Sequence, residues 1–141
     1  YHHIDKHKLL SVIEALDHYG QTGALNLSPQ TYKIILEDSE TAYEKLPCNW
    51  QKIHTYLAPL ADEIEQADIL DTGNIYITDQ RVFFVGKKGS ETVYLNDITH
   101  IDLKEDALQF FRDEGLSEIF AFPTPHHAVY AELIIRKMLD T

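Results

Sequence analysis

The feature that most constrains the fold is the stretch from Gly73 to Phe122, where short alternating runs follow one another with turn signals between them. Ile75 and Ile77, then Val82 and Phe84, alternate with polar or second-face residues, and Thr78-Asp79-Gln80 supplies the turn of a β-hairpin. Gly86 to Ser90 gives a second turn and Asp113-Glu114-Gly115 a third, with strands expected at Thr92 to Leu95, Ile98 to Leu103, Leu108 to Arg112 and Ile119 to Phe122. Strands joined this closely pair antiparallel. Thr124 followed by Pro125 is an N-cap and first-turn signal, and Ala131, Ile134, Ile135 and Met138 line one face of the helix it opens. Arg136 and Lys137 stand in its last turn, where cations complement the helix dipole. A meander ending in one amphipathic helix predicts an α+β domain: a curled antiparallel sheet or barrel whose open end the helix plugs.

Upstream, Ile4 and Leu9 fit a hydrophobic staple around an Asp5 N-cap. Leu9, Val12, Ile13 and Leu16 repeat at helical spacing and Gly20 suits the C-cap, so an N-terminal helical extension is expected over residues 1–30. Tyr32, Ile34 and Leu36 alternate as a strand would. Trp50, Ile53, Tyr56, Leu57 and Leu60 favour a helix from Asn49 to Leu60, an extended reading staying open. The acidic run from Asp62 to Asp71 reads as a solvated turn or linker; it lacks the ordered ligands and central glycine of a calcium loop.

At 141 residues the chain fits one domain able to bury a core without staples. Cys48 is the only cysteine, which precludes an internal disulfide and a cysteine-built zinc site; a half-buried thiol near Trp50 in a reducing, cytoplasmic compartment is expected. No apolar run approaches the roughly 20 residues needed to cross a bilayer. The chain opens on Tyr1 rather than methionine, from which a missing upstream segment is expected, with a membrane tether there left open. A net charge of -11 disfavours nucleic acid and anionic membrane surfaces at long range, so any anion site has to be local.

The run Gly73-Asn-Ile-Tyr-Ile-Thr-Asp-Gln-Arg-Val-Phe-Phe-Val-Gly86 resembles the hairpin of bacterial PH-like and GRAM-type domains of the pleckstrin-homology superfamily. In that hairpin a glycine precedes an aliphatic strand, a Thr turn, an Arg and an aromatic strand. The similarity continues through Gly86-Lys-Lys-Gly-Ser90, Leu95-Asn-Asp-Ile98-Thr-His-Ile101 and the strand from Ala107 to Arg112, and ends in the helix from Pro125. Leu36-Glu-Asp-Ser-Glu-Thr-Ala-Tyr43 resembles the acidic, aromatic opening of such domains. The resemblance implies a PH-like domain over residues 31–141, best supported over 71–139.

Residues 80–90 hold three bases, Arg81, Lys87 and Lys88, and no acid. A hairpin presenting them can hold a phosphate by charge-assisted bonds, and likeness to lipid-binding domains adds to that reading. The alternative is that Arg81 pairs with Asp79 or with a carboxylate of the acidic run. The eight histidines lack metal-ligand spacing: His126 and His127 are adjacent in a helical turn, and no HExxH pattern occurs. Neither GxSxG nor a Gly-rich phosphate loop is present, so no catalytic residue, metal or cofactor is expected. Phe83-Phe84 and Phe110-Phe111 are strand neighbours, so one of each pair should enter the core. The other should lie under the N-terminal helices or form a patch for a partner. The expected function is a non-catalytic module that docks a protein partner or forms a homo-oligomer, with anionic lipid head-group binding through Arg81, Lys87 and Lys88 as the alternative.

Overall fold

The computed structural model describes residues 4–57 and 63–140, with the backbone alone described at 53–57, 63–66 and 114. In chain order it places α1 (Lys6–Thr22), β1 (Ala42–Leu57), β2 (Glu63–Thr78), β3 (Arg81–Gly86), β4 (Ser90–Tyr94), β5 (Ile98–Lys104), β6 (Ala107–Arg112), β7 (Ser117–Ala121) and α2 (Pro125–Leu139). The seven strands form one antiparallel sheet in the order β4-β3-β2-β1-β7-β6-β5, and the end strands β4 and β5 are not paired, so the sheet curls without closing. The architecture is α+β, as expected.

The hairpin from Gly73 to Gly86 forms in the register its alternation demands, with Ile75 opposite Phe84 and Ile77 opposite Val82. All four are fully buried. Curling brings strands that are not neighbours into contact: Phe84 of β3 lies 5.6 Å from Phe120 of β7, ring centre to ring centre, and Phe110 of the adjacent β6 extends the row at 6.1 Å from Phe120. Trp50 of β1 completes this aromatic line at 6.0 Å from Phe84. Buried Ala131, Ile134, Ile135 and Met138 turn α2 into the same interior, and Thr124 caps its first turn by accepting from the His127 N–H.

Several expectations are corrected. No helix forms at residues 49–57; β1 runs through them, because the inward alternation of Leu46 and Cys48 continues into a ladder that pairs β1 with β2 as far as Leu57↔Glu63, the extra residue at the one shift, Leu70, falling on β2. The part of that prediction at residues 58–60 lies outside the described residues. The acidic stretch from Glu63 to Asp71 is strand, not linker, since it continues the β1–β2 ladder from Leu57↔Glu63 to Trp50↔Asp71, while Asp62 lies outside the described residues. Tyr32, Ile34 and Leu36 form no strand. Only Gln30 makes a bridge, to Ala42, and Ile35 is 90% exposed, its carbonyl engaged by Arg81 instead of a ladder. The first helix runs past Gly20 to Thr22, and the residue with the left-handed φ of +72° that ends it is Gly23. Cys48 is fully buried rather than half-buried.

Helix α1 packs beside α2, with Val12 in the common core. Its Lys8 pairs with Glu44 of β1, whose other oxygen accepts from the Tyr130 hydroxyl of α2. No described helix is long and apolar enough to cross a membrane.

Candidate functional site

The three predicted bases do not share one site. Arg81 begins β3 and Lys87 follows its end, six residues on, which is about 20 Å of extended chain. Arg81 is buried, and its Nε and Nη2 donate to the two oxygens of Glu40 at 2.8 and 3.1 Å, while Nη2 also donates to the Ile35 carbonyl at 2.8 Å. Its guanidinium lies 4.4 Å from the Phe83 ring centre. The Thr78 hydroxyl donates to Glu40 at 2.6 Å and accepts the Arg81 N–H at 2.9 Å. Burial works to raise the Glu40 pKa, and the bonds from Arg81 and Thr78 outweigh it and hold the carboxyl below its usual range. Neither partner weighed for Arg81 in the sequence is the one it takes. Asp79 instead accepts the Thr41 N–H at 2.9 Å.

Lys87 and Lys88 lie together in the exposed β3–β4 turn, whose shape comes from a carboxylate elsewhere. Asp71 accepts the backbone N–H of Lys87, Lys88 and Gly89 at 3.1, 2.9 and 3.2 Å, and that of Thr72 at 2.8 Å. Burial works to raise the Asp71 pKa, and these bonds, led by the one from Lys88, outweigh it and leave the pKa lowered. A Cβ at residue 86 would fall 2.2 Å from Asp71 Oδ2, so glycine is required for the close approach. The turn thus resembles an anion nest already filled from within the chain. What faces water for an external anion is two ammonium groups.

The second feature is where strands part. β7 pairs with β1 only through Asn49↔Ala121, Trp50↔Phe120 and Gln51↔Ile119. Beyond Gln51, β1 leaves the sheet with β2, which meets β3 only from Gly73 onward. Residues 52–57 and 63–70 therefore make a two-stranded ribbon about 20 Å long, whose outer edges have no ladder partner among the described residues. An open groove of about 570 Å³ lies in the fork between ribbon and β7, lined by Trp50, Lys52, Leu70, Lys104, Leu116 and Ser117 among others. Glu118 on its wall accepts from Trp50 Nε1 at 2.8 Å and from Arg112 Nη2 at 3.0 Å.

The outer phenylalanines are placed by the same alternation that buries Phe84 and Phe110. Phe83 lies beside the Arg81 guanidinium and Phe111 lies 5.6 Å from the exposed His100, and both rings are half-buried. Among the described residues, no group of three or more His, Cys, Asp or Glu side chains is arranged to hold a metal.

Sequence reasoning did not find Glu40, Asp71, Lys52 or Leu116 as site residues. The glycines at 86 and 89 carried a signal for Asp71, because a glycine-bounded turn has N–H groups for a nearby carboxylate to accept. Neither a scan of protein-family models nor a search of curated proteins finds a match to this chain.

Proposed function

We propose that the chain is a non-catalytic binding module of PH-like fold that docks a protein partner or a second copy of itself. The observation that carries this reading is the ribbon, because open strand edges are templates for pairing and a two-stranded hairpin is only marginally stable in water alone. The PH-like assignment is supported by β1 standing between two antiparallel meanders, β2-β3-β4 and β7-β6-β5, with a C-terminal helix packed into the curl. The displaced ionisable groups Glu40, Asp71 and Tyr130 each tie one element to another, which favours binding over catalysis. The buried, free Cys48 suits a reducing, cytoplasmic setting. Head-group binding is the weaker reading, since Arg81 is occupied by Glu40 and the turn amides by Asp71, leaving it Lys87 and Lys88 alone.

Three measurements test it together: sedimentation velocity over a range of concentrations, selection from a displayed random-peptide library, and pelleting with anionic vesicles across a salt series. The proposal expects concentration-dependent association or an enriched peptide family. Pelleting that falls steeply with salt, with the other two blank, would replace it with head-group binding. Blanks in all three discard both.

A further inference from the structure

We infer that the surface formed by the β2–β3 turn, the segment 35–38 and the C-terminal end of α2 docks a partner segment in which arginine or lysine alternates with apolar side chains. This rests on the binding-module reading and names the chemistry of the partner.

Three elements meet there. The Gln80 amide donates to the Asp38 carbonyl at 3.0 Å, the Tyr94 hydroxyl donates to Glu37, and Arg81 holds the Ile35 carbonyl, so residues 35–38 are pinned beside the turn. The pinned backbone keeps two apolar side chains in water: Ile35 is 90% exposed and Leu36 40%. Gln80 and Tyr94 also line a cavity of about 270 Å³, together with Asp79, Asn96, Met138 and Leu139 among others. That is just below the roughly 300–1,000 Å³ of small-molecule clefts, a size suited to one inserted side chain. Tyr94 and Leu139, both exposed, extend the apolar surface that Ile35 and Leu36 begin. Apolar side chains left uncovered on a fixed backbone and rimmed by polar groups mark interaction sites.

Charge chooses the partner. Asp79 lines the cavity with one oxygen taken by the Thr41 N–H and the other without a partner among the described residues. Arg81 is the one base that pairs with the surrounding carboxylates, and it is shared between Glu40 at 2.8 Å and Glu37 at 3.9 Å, with Asp38 and Asp79 besides. Lys33 of the same segment pairs with none of them among the described residues; even when it is counted, four carboxylates stand against two bases. The two bases in the last turn of α2 are engaged elsewhere, Arg136 by Glu132 and Lys137 by the Leu25 carbonyl, so the negative end of the helix adds to the carboxylates. Asp97 and Asp140, next in sequence after Asn96 and Leu139, deepen this field rather than offset it. A cationic segment is therefore attracted both locally and by the net charge of -11, whereas an acidic segment, an anionic membrane or a second copy meets repulsion.

The full chain, labelled for amide NMR, is titrated with an acetylated, amidated heptapeptide alternating leucine and arginine, and with serine–arginine and leucine–glutamate counterparts. The leucine–arginine peptide should shift, saturably, the amides of residues 35–38, 79–80, 94–97 and 138–140. Glu37→Gln, Asp38→Asn and Asp79→Asn together keep every hydrogen-bond acceptor and should weaken binding by about tenfold, the scale of a few exposed ion pairs. Ile35→Ser, at an exposed position, should weaken it as well. Glu14→Gln, Glu105→Gln and Asp113→Asn together make the same change of charge at exposed positions on other elements and should leave it nearly unchanged. Equal binding of either counterpart peptide, equal weakening by the two triple variants, or shifts confined to other residues overturns the inference. If the peptide does nothing while concentrated protein shifts the same amides, or a displayed peptide of other chemistry binds, this inference fails and the module reading stands. Failure of the peptide, of self-association and of the displayed library removes both.

Discussion

Tyr130 of α2 and Glu44 of β1, 86 positions apart in sequence, share a buried hydrogen bond in which the phenol donates to the carboxylate at 2.9 Å. The same carboxylate holds Lys8 of α1, so both helices are fastened to the strand that the two meanders share. Burial, then Glu44 beside it, pushes the Tyr130 pKa up, which keeps the phenol a donor throughout the neutral range. Tyr130→Phe keeps the ring's packing and leaves Glu44 short of a donor, so urea denaturation should show a loss of about 1–3 kcal/mol. A stability equal to wild type would mean that water or Lys8 alone satisfies the carboxylate.

The Arg81–Glu40 pair predicts a larger effect. Both side chains are nearly inaccessible, and removing one charge strands the other, a change that costs about 3–5 kcal/mol in buried pairs. Glu40→Gln and Arg81→Met should each unfold at markedly lower urea. If Arg81→Met is as stable as wild type, yet binds anionic vesicles less well, Arg81 belongs to a ligand site after all.

Acid should unfold the protein in two stages. Burial, then the nearby Lys8, lowers the His127 pKa below its usual value, so unfolding takes up a proton there and stability falls as pH drops through about 6.5. Asp71 and Glu40 have lowered pKa values, so their contributions are complete above the ordinary carboxylate range near about 4 and disappear as pH falls through their folded values. Melting temperature followed from pH 8 to 2 should decline twice. His127→Gln should remove the upper decline and Asp71→Asn should diminish the lower. A single transition untouched by either substitution would contradict the assignment.

Helix α2 offers a contrast along its own length. Ile134 and Ile135 are fully buried, and truncating either to alanine should cost about 2–5 kcal/mol. The Glu132 carboxylate accepts from Arg136, four residues on, at 3.3 Å, and Glu132→Ala should change stability by about 0.5 kcal/mol or less. Isoleucine variants as mild as the glutamate one, in chemical denaturation, would mean that the helix does not seal the interior.

What the sequence made legible follows the range of the forces involved. The hairpin around Asp79 and the Thr124 cap depend on residues within a few positions, and both appear where turn and cap chemistry place them. The stretch from Asn49 to Asp71 misled because Trp50, Ile53, Tyr56 and Leu57 fit a helical period as well as an extended one, and because what makes it a ribbon is pairing between two segments, which a run of acids does not announce. Arg81 was recognisable as a notable base, but its partner stands 41 positions earlier, in the segment from Leu36 to Tyr43 read only as the acidic, aromatic opening of the domain. The fork was invisible for a similar reason: it exists where two strands stop pairing, and no local residue pattern marks that point.

The turn filled by Asp71 has a consequence for how this surface can change. Its conformation is written by one internal carboxylate and a glycine at 86, so the side chains at 87 and 88 contribute nothing to its geometry. These two positions are free to vary: lysines can be exchanged for acids, aromatics or a grafted recognition pair, and the same scaffold would display each of them on an unchanged backbone.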